Sequence, residues 1–237
     1  LGNRRLSIID VSEKGKQPMI NEAGDLVITY NGELYNFKEI RSELEKEGYR
    51  FKSNTDTEVI LYAYQEYGKE CVKKFNGIFA FAIWDNKKKE LFLARDHLGI
   101  KPLYYYSEDN KFIFASEIKA ILMHEIKTGL NEDVLKEIIT CAYPISGRTL
   151  FSNIDELKPA HTLTLSQNNI KIEKYWNPKV NEINNSLDYF TKEVKRILEK
   201  SVKMQLVSDV PLGVFLSGGI DSSIITAIAS KYTDKVK

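Results

Sequence analysis

Residues 78–94 read IFAFAIWDNKKKELFLA, and this stretch decides the fold class. Aromatic and branched residues dominate Ile78 to Trp84 and again Glu90 to Ala94, which is typical of two β-strands. Asp85 and Asn86 supply turn chemistry between the two runs. The stretch therefore predicts an antiparallel hairpin.

Further strands and helices are predicted on both sides of this hairpin. The strand runs are Leu6 to Ile9, Leu26 to Tyr30, Leu103 to Tyr106, Lys111 to Ala115 and Thr162 to Leu165. Helical spacing of apolar residues predicts helices after Asn36, with a capping box to Glu39, after Asp56, and over 116–124 and 131–139. Residues 1–176 are therefore predicted to form an α+β domain of antiparallel strands flanked by helices.

A different pattern follows in the last part of the chain. Residues 177–186 are polar, contain Pro178, and form the best candidate for a linker between domains. An amphipathic helix from Leu187, an apolar strand from Val210 to Leu216 and a helix from Asp221 are predicted beyond it. This order is typical of the start of a parallel α/β domain, over residues 187–237.

Composition excludes several classes of protein. The 237 residues carry a formal net charge of +1, which argues against a nucleic-acid binder that displaces counterions with a basic surface. No apolar run approaches the roughly 18 residues of a membrane span, and no secretory signal precedes the first strand. Two cysteines cannot build a disulfide framework, so a cytoplasmic location is predicted.

Both ends of the chain suggest a fragment. It begins at Leu1 and not at Met, and it stops soon after an apolar helical run that needs packing partners. We therefore expect this sequence to be part of a longer protein.

The glycine loop at residues 217–223 predicts phosphate binding. Gly218 and Gly219 allow a tight turn and a close approach of an anion to backbone amides, and the helix that follows contributes a positive N-terminal dipole. The alternative is an ordinary strand-to-helix turn in which Asp221 or Ser222 is the N-cap.

The pair Asn31-Gly32 has two interpretations. Asn-Gly is the commonest signal of a type I′ hairpin turn, although a capped helix follows here and not a second alternating strand. The other interpretation is an oxyanion hole, because an Asn side-chain amide beside a Gly backbone N–H provides two donors.

Three charged residues could complete a site for an amino acid. Arg5 is suited to clamp an α-carboxylate, and Glu33 with Asp56 could hold an α-ammonium, which would leave a side-chain amide at Asn31 and Gly32. Taken singly, Arg5 could equally be a surface charge and Asp56 a helix N-cap.

Seven segments together resemble one family, the glutamine-dependent asparagine synthetases. Their first domain is a class II glutamine amidotransferase of the N-terminal-nucleophile hydrolase type, with stacked antiparallel sheets between helices, and an α/β ATP-pyrophosphatase domain follows. The matching strings are RLSIID, YNGELYNF, NTDTEVIL, FNGIFAFAIWD, ARDHLGIKPLYYY, FASEIKAIL and DVPLGVFLSGGIDSS.

The resemblance implies roles for two groups of residues. Those implied to bind glutamine are Arg5, Leu6, Ile9, Asn31, Gly32, Glu33 and Asp56, with the oxyanion at Asn31 and Gly32. Those implied to bind ATP are Leu216, Ser217, Gly218, Gly219, Asp221 and Ser222. His97 is a departure, because the family usually has Pro there.

The implied reaction hydrolyses glutamine and passes ammonia to aspartate that ATP has activated as an adenylate. Mg²⁺ would accompany ATP, with ligands that these residues do not assign, and a homodimer is an assembly to consider. The alternatives are a related amidotransferase with a different carboxylate acceptor, and a non-enzymatic relative that binds glutamine or a nucleotide.

The family nucleophile is an N-terminal Cys whose own α-amine acts as the base. This chain has Leu1 at that end, and Cys71 and Cys141 are expected to be structural. The chain by itself is therefore expected not to hydrolyse glutamine.

Overall fold

The computed structural model describes residues 1–167 and 169–233. The strands are β1 (Met19–Ile20), β2 (Leu26–Leu34), β3 (Gly77–Asp85), β4 (Glu90–Arg95), β5 (Tyr104–Glu108), β6 (Lys111–Ala115), β7 (Ile154–Glu156), β8 (His161–Ser166) and β9 (Asn169–Lys174). The α-helices are α1 (Phe37–Lys46), α2 (Asp56–Tyr67), α3 (Ile118–Ile121), α4 (Glu132–Cys141), α5 (Leu187–Gln205) and α6 (Ile220–Ala229), and 3₁₀ turns cover Glu13–Gly15 and Gly68–Lys74. No helix in these described ranges is long and apolar enough to cross a membrane.

Two antiparallel sheets form the framework. The larger sheet has the strand order β1-β2-β3-β4-β8-β9, and the smaller has the order β6-β5-β7. The predicted hairpin is present as β3 and β4, in which Trp84 pairs with Leu91. The α+β class with stacked antiparallel sheets is confirmed.

Alternating side chains of β3 explain why the sheets stack between helices. Phe79, Phe81 and Ile83 pack into one core with α1 and α2. Ala80 and Ala82 point the other way, into a second core that residues of the smaller sheet share. A third cluster covers the outer face of the smaller sheet with α3. Because successive strand residues point to opposite faces, one strand contributes to two cores.

The predicted strand from Leu6 to Ile9 is wrong. Residues 1–10 are irregular, and Asp10 has a left-handed φ of 50°. Instead of pairing along a ladder, the segment is anchored by side chains, since Asn3 donates to the Thr29 hydroxyl and to the Tyr30 carbonyl. These bonds hold the segment across β2.

The predicted strand from Val210 to Leu216 is also wrong. Residues 211–217 have no regular secondary structure, and Phe215 is 99% exposed. A parallel strand is stable only beside neighbours that complete its hydrogen bonds, and no described strand pairs with this segment. The helices on either side, α5 and α6, do form as predicted.

The predicted capping box at Asn36 is wrong in its detail. Asn36 is the N-cap of α1 but makes no side-chain cap bond. Its amide instead donates to the Lys74 carbonyl and accepts from the Asn76 N–H. The side chain therefore ties the start of α1 to the entrance of β3.

Candidate functional site

A cavity of about 640 Å³ opens where residues 2–9 cross β2. Ala80 and Ala82 contribute to its wall, and their small side chains leave space between the two sheets. The cavity brings together all seven residues that sequence reasoning assigned to glutamine, which are Arg5, Leu6, Ile9, Asn31, Gly32, Glu33 and Asp56.

Strand β2 runs without interruption through Asn31 and Gly32, so the hairpin-turn interpretation is wrong. Gly32 pairs with Phe79 on β3, and a Cβ at Gly32 would lie 2.1 Å from the Ile78 carbonyl oxygen. Glycine is needed here because two backbones approach closely, not because the chain turns.

The side chain of Asn31 is available to a ligand. Asn31 lies on the same face of β2 as Thr29 and Glu33, the face that lines the cavity. Its amide has no hydrogen-bond partner among the described residues, and it is only partly buried. A donor in this position can stabilise negative charge that develops on an oxygen in the cavity.

The guanidinium of Arg5 is fixed by backbone oxygens. Nη2 donates to the carbonyl of Ile9 at 2.5 Å and to that of Asp10 at 2.9 Å. Gly15 leaves room for the group, because a Cβ there would lie 2.4 Å from Nη1. Nε and Nη1 donate to nothing in the described part of the chain, which leaves donors for a carboxylate.

Asp56 is not the N-cap of α2. Thr55 is the N-cap, and its hydroxyl accepts from the Glu58 N–H. The Asp56 carboxylate turns inward, where it accepts from the Tyr30 hydroxyl and the Leu34 N–H, both at 2.9 Å. Burial raises the pKa of Asp56 above its usual range, and these donors partly oppose the rise.

Glu33 reinforces the acidic character of this end of the cavity. Burial, followed by repulsion from Asp56, raises the pKa of Glu33 to about 7, and Lys101 opposes the rise. Two desolvated carboxylates close together favour a bound cation, because a positive ligand offsets both the loss of hydration and the repulsion between the two negative charges. A primary ammonium group fits this requirement.

Among the lining residues that sequence reasoning missed, Lys101 and Gln17 have contacts that shape the cavity. Lys101 lines it and supplies a positive charge near Glu33. Gln17 accepts from the Tyr30 N–H and donates to Thr57, and so joins β2 to the start of α2. No local pattern marks either residue, since both reach the cavity through tertiary packing.

The glycine loop has its own local geometry. Gly219 is the N-cap of α6, so neither Asp221 nor Ser222 caps the helix and the N-cap alternative is wrong. The Ser217 and Ser222 hydroxyls are 3.0 Å apart across the loop. The six residues assigned to ATP lie in one short segment, and all of them are exposed except Ser222, which is half-buried. Leu216 is 60% exposed.

Neither cysteine lines the cavity. Cys71 is buried and its pKa is raised by that burial, which agrees with a structural role. Cys141 lies exposed at the end of α4, so a structural role as a buried apolar side chain, as expected from the sequence, is wrong for this residue. The ring of His97 packs edge-on against Tyr175 and Trp176, and burial lowers its pKa.

Residues 1–167 and 169–233 contain no group of three or more His, Cys, Asp and Glu side chains that could hold a metal ion.

Similarity to known proteins was found in sequence and in structure. The profile described as "Glutamine amidotransferase domain" matches residues 1–176, and the profile described as "Asparagine synthase" matches residues 193–237. Asparagine synthetase [glutamine-hydrolyzing] 3 of Bacillus subtilis is 45% identical over 99% of this chain and 39% of its own length. Asparagine synthetase B [glutamine-hydrolyzing] of Escherichia coli is 40% identical over 98% of this chain and 37% of its own length.

The chain thus spans about two fifths of the length of these relatives. A solved structure titled "Structure of the allosteric regulatory enzyme of purine biosynthesis" superposes with a TM-score of 0.50 at 18% identity, over 97% of this chain and 49% of that one. This likeness concerns the fold alone. The profile match over residues 1–176 shows that the chain belongs to the glutamine amidotransferase domain family.

Proposed function

We propose that this chain contributes the glutamine-hydrolysing half, and the start of the synthetase half, of a glutamine-dependent asparagine synthetase. The observation that carries the proposal is one cavity with Arg5 at one wall, Glu33 and Asp56 at another, and Asn31 beside Gly32. The proposal divides the chain into residues 1–176 for glutamine, a linker at 177–186 and a nucleotide segment at 187–237.

Each part of glutamine has a complementary group in this proposal. Arg5 binds the α-carboxylate through its free guanidinium donors. Glu33 and Asp56 bind the α-ammonium, and Leu6 and Ile9 form the neighbouring wall. The side-chain carbonyl then lies at Asn31 and Gly32, whose donors stabilise the oxyanion formed when the family's N-terminal Cys attacks.

The released ammonia would serve the second half of the proposed reaction. There the aspartate carboxylate would attack the α-phosphate of ATP, which gives an acyl-adenylate and releases pyrophosphate, and ammonia would then displace AMP. Residues 216–219, with Asp221 and Ser222, would bind ATP, which brings Mg²⁺ with it. A cytoplasmic location and a homodimeric assembly belong to the same proposal.

The test uses the complete protein that contains this chain. Asn31→Ala should lower the glutaminase kcat by about 10²–10³ with a modest change of KM, because the donor acts mainly on charge in the transition state. Arg5→Ala should chiefly raise KM, because it binds the carboxylate in ground and transition states alike. Synthesis driven by added ammonia should survive both changes.

Arg50→Ala is the matched control, because Arg50 is exposed and outside the cavity. A folded Asn31→Ala protein with an unchanged kcat would remove the oxyanion role. Absence of glutamine turnover in the unsubstituted protein would favour the non-enzymatic alternative.

A second candidate is a related amidotransferase with another carboxylate acceptor. It is supported by a relative named Amidase chry2 of Gibberella zeae, which is 34% identical over 97% of this chain. Pyrophosphate release that depends on aspartate supports asparagine synthesis, and release that depends only on a different carboxylate supports this candidate.

A further inference from the structure

Asp209, which follows α5, forms hydrogen bonds with the N-terminal segment of the chain. Its N–H donates to the Ile8 carbonyl at 3.0 Å, and its carboxylate Oδ2 accepts from the Asp10 N–H at 2.7 Å. Val207 packs nearby against the core shared with Ile8. Ile8 and Ile9, which line the cavity, and Asp10 next to them are therefore held by a segment about 200 positions away in sequence.

The two hydrogen bonds of Asp209 lie next to the backbone carbonyl oxygens that fix the guanidinium of Arg5. The Ile9 and Asp10 carbonyls accept from Nη2 of Arg5, and Asp209 binds the backbone at Ile8 and at Asp10. Asp10 also has a left-handed φ of 50°, a conformation that a non-glycine residue keeps only where its surroundings support it.

Asp10 extends the connection to the opposite side of the cavity. Its Oδ2 accepts from the Asn54 N–H, just before Asp56, and its Oδ1 accepts from Ser12. These donors, with that of Asn54 foremost, lower the pKa of Asp10. Displacement of residues 8–10 would thus disturb the position of the Arg5 guanidinium. It would also disturb the backbone at Asn54, which leads to Asp56.

We propose that Asp209 is a positioning residue of the glutamine site, supplied by the segment that resembles asparagine synthase and not by the amidotransferase domain. The inference rests on the proposed function, because it assigns Arg5 to the glutamine α-carboxylate. Asp209 lies outside the 1–176 match and inside the 193–237 match. The glutamine site is therefore complete only when both segments are docked.

The test compares variants of the complete protein. Asp209→Ala should raise the glutamine KM about tenfold, the loss expected for one hydrogen bond to a charged group, while kcat stays within about twofold. Asp209→Asn should retain a KM near that of the unsubstituted protein, because the amide oxygen still accepts from the Asp10 N–H. Asp188→Ala is the control, since Asp188 is exposed and forms a surface ion pair with Lys192.

Hydrogen exchange at the Asp10 amide adds a measurement of the local hydrogen bond that does not depend on a change in global stability. The Asp10 amide should lose protection in Asp209→Ala and keep it in Asp209→Asn. An unchanged glutamine KM in folded Asp209→Ala, with the Asp10 amide exposed, would overturn the positioning role while the proposed function stands. Absence of glutaminase activity from the unsubstituted protein would overturn both the positioning role of Asp209 and the proposed function. If Asp209→Ala does not fold, Asp209→Leu replaces it, because Leu is close to Asp in shape but offers no acceptor to the Asp10 N–H. A KM equal to that of the unsubstituted protein in folded Asp209→Leu would then refute the role.

Discussion

At the scale of single residues, the acidic pair shows how a binding site opposes stability. Glu33 and Asp56 lose water without gaining an ion pair within 4 Å in the described residues. Each carboxylate therefore destabilises the fold in its charged form. The arrangement becomes favourable only when a cationic ligand enters.

Glu33→Gln should stabilise the protein at neutral pH and weaken glutamine binding. The pKa of Glu33 in the fold is about 7, above its ordinary value of 4.5. Folding is therefore increasingly penalised as the pH rises from 4.5 to about 7, and the penalty is complete above that range. The variant should raise Tm at about pH 8 and leave it unchanged at about pH 4, as thermal unfolding would show.

The ionisation of Glu33 should also make glutamine affinity depend on pH. Below about pH 7 Glu33 binds a proton in the free protein, so the glutamine KM should rise as the pH falls through that value. In Glu33→Gln this rise should disappear. Glu39→Gln, on the exposed side of α1, is the control for both measurements. A Tm gain equal at both pH values would contradict the burial of a charged Glu33.

Gly15→Ala should move Arg5 without unfolding the protein. The new Cβ would lie within 2.6 Å of three guanidinium atoms, which are the end of a flexible side chain and can move away. Calorimetry should show at least a fivefold loss of glutamine affinity, with Tm nearly unchanged. Gly129→Ala, where the nearest atom is 3.6 Å away, should change neither quantity. Unaltered affinity in Gly15→Ala would argue against the Arg5 clamp.

At the scale of elements, the close contact of β2 and β3 defines the oxyanion side of the cavity. Gly32 on β2 and Gly77 on β3 each face the backbone of the partner strand, so neither accommodates a side chain. The cavity-facing positions of β3 are Ala80 and Ala82, which keep the space beside Asn31 open.

Gly32→Ala should therefore destabilise the protein strongly. A Cβ 2.1 Å from a carbonyl oxygen cannot be relieved by a side-chain movement, so the strands must separate. We expect a loss of about 3 kcal/mol in the free energy of unfolding, or a Tm lower by roughly 10 °C. Gly24→Ala is the control, because Gly24 has a positive φ of 74° but open space around it. Equal losses in the two variants would mean that backbone conformation, and not the contact with β3, requires Gly32.

At the scale of the whole molecule, glutamine and nucleotide chemistry are proposed for separate segments. Asp221 lies in the first turn of α6, exposed and without a hydrogen-bond partner among the described residues. Its removal should cost little stability, at most about 1 kcal/mol from the helix dipole.

Asp221→Ala in the complete protein should abolish pyrophosphate formation while glutamine hydrolysis continues. The two products can be measured in parallel, as pyrophosphate and as glutamate. Asp188→Ala is the matched control, because Asp188 occupies the first turn of α5. Loss of both activities in a folded Asp221→Ala protein would contradict the division into two sites.

The fold class and the candidate residues of both sites were predictable from the amino-acid sequence. Aromatic and branched residues in β3 and β4, with Asp85 and Asn86 between them, specify a hairpin, because strand and turn preferences depend on local sequence. The helices α1, α2, α5 and α6 were predictable because the helical spacing of apolar residues is also a local feature of the sequence. The seven cavity residues were named from the chemistry of their side chains and from the family resemblance.

Only the tertiary structure decided what depends on distant partners. Asn-Gly is a turn signal in isolation, but contact with Phe79 keeps it inside a strand. Residues 6–9 have the composition of a strand, yet Asn3 and Asp209 hold the segment out of any ladder. The strand from Val210 to Leu216 did not form, because a ladder needs a neighbour that local sequence cannot supply. Lys101 and Gln17 reach the cavity, and Asp209 reaches the segment beside it, only through long-range packing. Such contacts leave no periodic signal in the sequence.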